Sequence, residues 1–324
     1  RIKKYFFEPK INAIPTPILN KIDTELYYYI PRQSSMLSSS KFNFLNVTKS
    51  FSLSNFWNVS SQTKLWLYNL HYFDGLLNAE TPTELKQSLI HKWILQNELG
   101  AGNGWEPYPS SLRIINWIKW HLSDHKLDEE AIRSLAIQVE YLTLNIEYHL
   151  QGNHLFANAK ALLIAGVFFK GHLADKWFSI GYEILEKQIP EQFLDDGAHF
   201  ELSPTYHALL TEDLLDIIQL MQIVNKPLPK DWRNVAEKAM SWLIGMTRPD
   251  GLPPLFNDAA YGITPLFGEI ISLGKTVGLS VPKPVKSGIT DFPSSGYFRY
   301  EANNFSLFGD AGQIGPDYIP GHAH

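Results

Sequence analysis

The feature that most constrains the fold is a long series of segments with helical periodicity, which runs from about Leu65 to residue 277. In each segment apolar residues recur every three to four positions, as on one face of an α-helix. An early helix begins at Thr81-Pro-Thr-Glu84, and the later segments lie at about residues 110–124, 128–150, 155–171, 174–188, 205–225, 230–247 and 264–277. Short links join them. Helices with short links pack as antiparallel hairpins, and repeated hairpins curve into a solenoid or close into a toroid.

The pattern changes after about Pro282. Gly296-Tyr-Phe-Arg-Tyr300 and Phe305-Ser-Leu-Phe308 flank Asn303-Asn304, as the strands of a β-hairpin flank its turn. A lone hairpin is marginal in water, so either the helical body supports it or its partner strands lie beyond the end of this chain, and we favour the second explanation. We therefore predict a mainly α protein with an extended N-terminal arm at 1–60 packing on the helices, a helical domain at 61–282 and the truncated start of a β domain at 283–324.

Composition excludes several classes of protein. With 44% hydrophobic and 19% charged residues, the chain is not disordered. A net charge of -5 without a large basic run argues against a nucleic-acid partner. The chain has no cysteine, which excludes thiol catalysis, disulfides and cysteine zinc sites. No apolar run reaches the length of a membrane span.

Gly152-Asn-His154 stands where one helical segment ends and the next begins. We expect Asn153 to cap the new helix and His154 to project from its first turn. A helix N-terminus favours a carboxylate, and both side chains could add hydrogen-bond donors to such a site. The alternative is that Asn153 only caps and His154 only packs.

The segment Asp195-Asp-Gly-Ala-His-Phe-Glu-Leu-Ser-Pro-Thr-Tyr-His207 is dense in functional groups and ends at a helix start marked by Ser203-Pro204. Tyr206 in the first turn could transfer a proton if neighbouring positive charge lowers its pKa. Glu201 and His207 are candidates for substrate binding. For His199 and Glu201, a structural hydrogen-bond network around a buried turn is the favoured alternative.

Trp105-Glu-Pro-Tyr-Pro-Ser-Ser-Leu-Arg113 places an acid, two aromatic residues and an arginine ahead of a helix. Arg113 could hold a carboxylate with two hydrogen bonds, and Trp105 or Tyr108 could stack on a sugar ring. Glu106 is a further substrate-binding candidate. Alternatively, Glu106 and Arg113 pair with each other and fix the loop.

Two histidines stand at the end of the chain, in Tyr318-Ile-Pro-Gly-His-Ala-His324. Residues two apart on a strand point the same way, so His322 and His324 could serve one pocket, as a proton-transfer group and a metal ligand or as two ligands. The alternative is a frayed terminus or part of an affinity tag.

Five motifs together resemble the heparinase II/III family of polysaccharide lyases, over roughly residue 60 to the end. They are Leu65-Trp-Leu-Tyr-Asn-Leu-His-Tyr-Phe-Asp74, Trp105-Glu-Pro-Tyr-Pro109, Gly152-Asn-His-Leu-Phe-Ala-Asn-Ala-Lys-Ala161, Phe200-Glu-Leu-Ser-Pro-Thr-Tyr-His207 and Pro320-Gly-His-Ala-His324. The resemblance implies an incomplete (α/α) toroid followed by an antiparallel β-sandwich domain, with the active site in the cleft between them. It also implies β-elimination at a uronic acid.

The resemblance assigns roles to individual residues. Asn153 and His154 would bind and neutralise the substrate carboxylate, and Tyr206 would be the base or acid at C5 and O4, assisted by His322. His324 resembles the first ligand of a structural zinc in the intact β domain, whose other ligands would lie beyond this chain. The chemistry itself would need no cofactor.

The same resemblance implies an acidic polysaccharide or oligosaccharide as substrate and a periplasmic or secreted location, with the cytoplasm as the alternative. A first residue that is Arg rather than Met is compatible with a removed signal peptide. A chain cut within its β domain would lack one wall of the cleft, and we expect it to have poor activity.

Two other functions stay open. One is a glycoside hydrolase on a similar helical fold, which needs two carboxylates across the scissile bond; its candidates are Glu106, Asp196, Glu201 and Asp258. The other is a catalytically silent scaffold that binds glycans without turnover. The lyase hypothesis explains the Asn153-His154 and Tyr206-His207 pairs, which the hydrolase hypothesis leaves without a role.

Overall fold

The computed structural model describes residues 14, 17–52, 55–123, 127–283, 285–303, 305–316 and 318. Helices dominate these residues. They are α1 Lys64–Tyr72, α2 Thr83–Gln96, α3 Pro107–Leu122, α4 Glu129–Thr143, α5 Gly152–Phe168, α6 His172–Gln192, α7 Pro204–Ile223, α8 Lys230–Met246 and α9 Phe267–Thr276. The helices predicted from apolar periodicity are confirmed, and most ends differ by a few residues. Helix α4 ends at Thr143 rather than near residue 150, so the expectation that one helix runs up to the start of α5 is wrong.

Within the described residues, three small antiparallel sheets accompany the helices. Their strands are β1 Ile18–Leu19, β2 Met36–Ser38, β3 Lys41–Phe44, β4 Val47–Ser50, β5 Phe169–Lys170, β6 Gly288–Phe292, β7 Tyr297–Ala302 and β8 Phe305–Asp310. The sheets have the strand orders β1-β5, β2-β3-β4 and β6-β7-β8. The predicted late hairpin is formed by β7 and β8, in a register that pairs Tyr300 with Leu307.

The chain divides into two compact units. The first comprises Pro31–Leu150 and Ala157–Tyr182 with the described part of the first 27 residues, and the second comprises Tyr28–Ile30, Gln151–Phe156 and the described residues from Glu183 onward. The predicted domain boundaries near residues 60 and 282 remain predictions.

In the first unit, helix starts follow capping chemistry. Asp128 accepts a hydrogen bond from the Ala131 N–H at 2.9 Å and thereby caps α4, and Thr63 caps α1 through the Trp66 N–H at 3.3 Å. Helix α2 begins one residue later than predicted, because Pro82 takes the cap position rather than the first helical position. The side chains of Asp128 and Thr63 thus satisfy backbone donors that a helix end leaves without partners, whereas Pro82 makes no such bond.

The sheet β2-β3-β4 was not predicted, because residues 1–60 suggested only an extended arm. Its strands are three or four residues long. The β3-β4 turn places Leu45 and Asn46 at φ 54° and 59°, a turn usually signalled by Asn-Gly or Asp-Gly. Without that signal, and with such short strands, the sequence gives little warning of the sheet.

In the second unit, α7, α8 and α9 pack together and α8 also packs on β7. The aromatic side chain of Trp242 on α8 lies at their centre, with its ring centroid 5.3 Å from that of Tyr297 on β7 and 4.3 Å from that of His207 on α7. Strand β7 is therefore part of the core of this unit. None of the helices in the described residues is both long and apolar enough to cross a membrane.

The turn between α6 and α7 requires a glycine at position 197. Gly197 has φ 91°, and an added Cβ would lie 2.3 Å from the Lys238 carbonyl carbon on α8. A side chain here would therefore meet backbone that cannot rotate away. Gly251 has a similar φ of 81° but no atom within 4 Å of its Cβ position.

This pair of glycines separates two causes of strain. We expect Gly251→Ala to lower the free energy of unfolding by roughly 1 to 2 kcal/mol, the cost of a left-handed residue. For Gly197→Ala we expect a loss of roughly 3 to 5 kcal/mol, because overpacking against α8 adds to that cost. Chemical denaturation of both variants measures the difference, and equal losses would show that the close approach of Gly197 to α8 is unimportant.

Candidate active site

The predicted site residues fall into three groups. The second unit holds Asn153, His154, Glu201, Tyr206 and His207, whereas the first unit holds Trp105, Glu106, Tyr108 and Arg113. His322 and His324 lie outside the described residues. The positions of the residues in the two units can therefore be compared with their predicted roles.

Asn153 and His154 lie in the first turn of α5. The helix begins at Gly152, and Gln151 and Gly152 adopt left-handed φ values of 57° and 52°. The prediction that Asn153 caps this helix is wrong, because Asn153 lies one residue inside it. Its side-chain amide instead donates a hydrogen bond to the hydroxyl of Tyr206.

The carboxylate of Glu201 binds the N-terminus of α5. Its Oε1 accepts a hydrogen bond from the Asn153 backbone N–H at 3.2 Å, and Glu201 is only 2% exposed. From the sequence, the carboxylate of a substrate was expected at this helix end, whereas the structure places the carboxylate of Glu201 there. Burial also makes the predicted direct contact of Glu201 with substrate unsupported, and the protein uses this side chain to link two distant segments.

Tyr206 lies in the first turn of α7 and is half-buried. Burial and the negative charges of Asp258 and Glu201 raise the pKa of Tyr206 to about 12. The hydrogen bond from Asn153 opposes this shift but does not cancel it. From the sequence, proton transfer by Tyr206 was conditional on neighbouring positive charge that lowers this pKa. The structure places carboxylates there instead, so the phenol is neutral near pH 7.

A hydrogen-bond network fills the turn between α6 and α7. The His199 N–H donates to His207 Nδ1 at 3.1 Å, and His207 Nε2 donates to the Ala239 carbonyl at 3.0 Å. His199 Nε2 bonds Gln192 Oε1 at 3.1 Å, and Gln192 donates to the Gly152 carbonyl at 2.9 Å. His199 therefore takes part in a structural hydrogen-bond network, which was the favoured alternative for this residue.

The predicted substrate contact of His207 is not supported. His207 is 1% exposed, and both of its ring nitrogens bond groups inside the protein. Burial lowers the pKa of His207 to about 4, so its ring is neutral near pH 7. Its neighbour Tyr206 keeps part of its surface exposed.

Asn257 and Asp258 also lie at the candidate site, although neither was predicted from the sequence to have a role in a lyase site. Asp258 raises the pKa of Tyr206, and Asn257 Nδ2 donates to the Leu202 carbonyl at 2.6 Å. A third residue, Tyr297, was not considered, yet its hydroxyl donates to the same carbonyl at 2.6 Å. For Asn257 and Asp258, the available signal in the sequence was an amide side chain next to an acid, shortly after the turn residues Pro249-Asp-Gly251.

In the first unit, Arg113 is not available to bind a carboxylate. It is fully buried, with Nε donating to Gln138 Oε1 at 2.8 Å and the guanidinium lying 3.8 Å from the centroid of the Trp93 ring. The alternative pairing of Glu106 with Arg113 is also wrong, because Glu106 bonds Lys64 at 2.9 Å and the Tyr68 hydroxyl. Arg113 therefore stabilises the core.

Trp105 is likewise a core residue. It is 6% exposed, its Nε1 donates to the Asn97 carbonyl at 3.2 Å, and its ring packs edge-on against Tyr141. The predicted stacking of Trp105 on a sugar is therefore not supported. Tyr108 and Glu106 are half-buried and keep some exposed surface, so they remain candidates for substrate binding.

The predicted zinc ligand His324 lies outside the described part of the chain. Among those residues, no group of three or more His, Cys, Asp or Glu side chains is placed to hold a metal ion. The assignment of His324 as a zinc ligand therefore stays a prediction.

Several known lyases have sequences similar to part of this chain. A heparin-sulfate lyase of Bacteroides thetaiotaomicron is 32% identical over 136 residues, which cover 38% of this chain and 19% of that protein. A heparin-sulfate lyase of Pedobacter heparinus is 32% identical over 133 residues, or 40% of this chain and 20% of that protein. Each alignment spans about a fifth of the relative's length.

Solved structures show the same fold over most of the chain. A crystal structure of heparinase III matches 81% of this chain and 48% of its own, with a TM-score of 0.64 and 20% identity. A mutant heparan sulfate lyase from Pedobacter heparinus matches 88% of this chain and 51% of its own, with a TM-score of 0.56 and 18% identity. The predicted fold class, an (α/α) toroid of helical hairpins followed by antiparallel strands, is confirmed.

A sequence profile described as the heparinase II/III N-terminus matches residues 92–264. These residues include α3 to α8 and the predicted site residues of the second unit, which are Asn153, His154, Glu201, Tyr206 and His207. The match covers more than half of the chain. The chain therefore belongs to the heparinase II/III family.

Proposed function

We propose that the whole protein is a polysaccharide lyase that cleaves a uronic-acid glycan by β-elimination. One observation carries the proposal: the Tyr206 phenol is hydrogen-bonded to the Asn153 amide, next to His154, at the start of α5. An amide, an imidazole and a neutral phenol in one place suit proton transfer beside a carboxylate better than they suit hydrolysis. The names of the similar heparin-sulfate lyases support the same reaction class.

The reaction needs three groups. A base removes the proton from C5 of the uronic acid, the electron pair of that bond forms the C4–C5 double bond, and the bond from C4 to the glycosidic oxygen breaks. The departing oxygen takes a proton from an acid. Negative charge builds on the substrate carboxylate during this step, so donors aimed at that group lower the barrier.

Asn153 and His154 are the proposed carboxylate-binding residues. Both are in the first turn of α5, where the helix dipole also favours negative charge, and both keep part of their surface exposed. Because Glu201 accepts the Asn153 backbone N–H, the side chains of Asn153 and His154 would do the binding. An amide can donate two hydrogen bonds, so Asn153 can serve Tyr206 and the substrate together.

Tyr206 is the proposed acid that protonates the departing oxygen. A phenol with a pKa of about 12 carries its proton near pH 7, as an acid must. His322 is the proposed base at C5. Tyr318, four residues before His322, donates a hydrogen bond to Glu191 at 2.5 Å and packs its ring against Phe200, the neighbour of Glu201.

The remaining expectations belong to the same proposal. The substrate is an acidic polysaccharide or oligosaccharide, Tyr108 and Glu106 contribute to its binding, and the protein acts in the periplasm or outside the cell. His324 would ligate a structural zinc that takes no part in the chemistry.

The structure favours this reaction over hydrolysis, because internal bonds occupy three of the four carboxylates that a hydrolase would use. Glu106 bonds Lys64, and Glu201 bonds the Asn153 N–H. Asp196 Oδ2 accepts hydrogen bonds from the Ser295 backbone at 2.7 Å and hydroxyl at 2.9 Å. A hydrolase needs two carboxyl groups facing its substrate.

Removing the Tyr206 hydroxyl separates turnover from binding. We expect Tyr206→Phe in the full-length protein to lower kcat by roughly 100-fold or more, because the departing oxygen loses its acid. Glycan affinity should change little. The assay follows ultraviolet absorbance of the C4–C5 double bond on a panel of uronic-acid polysaccharides, with binding measured by calorimetry. Tyr28→Phe, at an exposed tyrosine of the same unit, is the control, and wild-type turnover by Tyr206→Phe would contradict the acid role.

The protonation state of Tyr206 can be measured without substrate. Because the pKa of Tyr206 is raised to about 12, we expect the 13Cζ NMR signal of Tyr206, assigned by its loss in Tyr206→Phe, to stay constant between about pH 6 and 10. Asp258→Asn removes a negative neighbour that disfavours the phenolate, so it should lower this pKa. Asp250→Asn, at an exposed aspartate paired with Arg248, is the matched control. Ionisation of Tyr206 near neutral pH would contradict the electrostatic account.

A further inference from the structure

Leu202 has an unusual backbone conformation beside the candidate site. It is 7% exposed and has φ 55°, in the left-handed region that residues with a Cβ rarely occupy. This conformation costs roughly 1 to 2 kcal/mol, so the surrounding structure must stabilise it.

Two side chains from distant parts of the sequence hold the Leu202 carbonyl. The Tyr297 hydroxyl and Asn257 Nδ2 each donate to it at 2.6 Å, and Asn257 Nδ2 lies 3.1 Å from the Tyr297 hydroxyl. A carbonyl oxygen has two lone pairs and can accept both bonds. Asn257 is itself at φ 54°, which asparagine tolerates better than most residues.

The hydroxyl of Tyr297 is held firmly as a donor. Tyr297 is fully buried, and its ring packs edge-on against Trp242 and 5.5 Å from the ring of Phe256. Burial and the nearby carboxylate of Asp310 raise the pKa of Tyr297 far above its ordinary value, so the hydroxyl keeps its proton. The packing against Trp242 and Phe256 holds the ring beside Leu202, and the hydroxyl also interacts with the carboxylate of Asp310.

Leu202 joins the two halves of the candidate site. Glu201, which precedes it, binds the Asn153 N–H, and Ser203, which follows it, is the N-cap residue of the helix that carries Tyr206. Rotation of the peptide after Leu202 would therefore move Tyr206 relative to Asn153. A displacement of about 1 Å in such a pair can cost roughly 100-fold in rate.

We propose that Tyr297 and Asn257 are positioning residues, which hold the Leu202 carbonyl and thereby set the Tyr206 hydroxyl against Asn153 for proton transfer. The inference rests on the proposed function for its effect on turnover. It also gives strand β7 a part in the site, although Tyr297 itself is buried away from the substrate.

Kinetics of the full-length protein test the effect on turnover. We expect Tyr297→Phe to lower kcat by roughly 10- to 100-fold with KM within about twofold, because positioning acts on the chemical step. In a Tyr206→Phe background the same change should cost less than about twofold, since the group it positions is gone. Equal losses in both backgrounds would show a general structural role and overturn the proposal. Tyr300→Phe, at a partly exposed tyrosine of β7, should leave kcat unchanged.

A readout that needs no turnover separates this inference from the proposed function. With 13C-labelled tyrosine, Tyr297→Phe should shift or broaden the Tyr206 ring signal, and Tyr300→Phe should leave it unchanged. An unchanged Tyr206 signal in Tyr297→Phe overturns the positioning role, whatever reaction the protein performs. If Tyr297→Phe fails to fold, Asn257→Gly carries the same test, because glycine keeps the left-handed backbone and removes the amide donor.

Discussion

The hydrogen bond between the Glu201 carboxylate and the Asn153 backbone N–H is the contact on which the candidate site depends. It joins segments that are 48 residues apart and brings the start of α5 to the start of α7. A buried carboxylate is costly unless hydrogen bonds and nearby positive charge compensate it, and the N-terminus of a helix supplies both. With Glu201 there, the side chains of Asn153 and Tyr206 meet.

The same contact explains the electrostatics of the site. A carboxylate that anchors α5 necessarily lies near Tyr206, and together with burial and Asp258 it raises the pKa of that phenol. The position that stabilises the local fold therefore also keeps the proposed acid protonated. Strand β7 completes the arrangement, because Tyr297 bonds the carbonyl that follows Glu201 in the chain.

Apolar periodicity was enough to predict the helices from α3 to α9, because each buries one face against its neighbours. That Asn153 and Tyr206 lie in one site was implied only by the roles that the resemblance gives them, since periodicity says nothing about contacts between distant helix starts. Trp105, Arg113 and His207 were predicted to bind substrate because of the chemistry of their side chains. The same side chains are also found inside a core when they have hydrogen-bond partners there, as Arg113 has in Gln138. Burial depends on the packing of several helices at once, which a linear pattern does not contain. Tyr297 escaped notice for the same reason, since 95 residues separate it from Leu202.

The fate of the glycosidic bond tests the central claim most directly. The full-length protein can be incubated with a uronic-acid polysaccharide, and the products examined by mass spectrometry. Elimination predicts fragments whose new non-reducing end carries a C4–C5 double bond and is lighter by one water molecule than a hydrolysis product. Fragments with a saturated new non-reducing end would show that water was added across the glycosidic bond, and they would contradict the assignment of Asn153, His154 and Tyr206 to β-elimination.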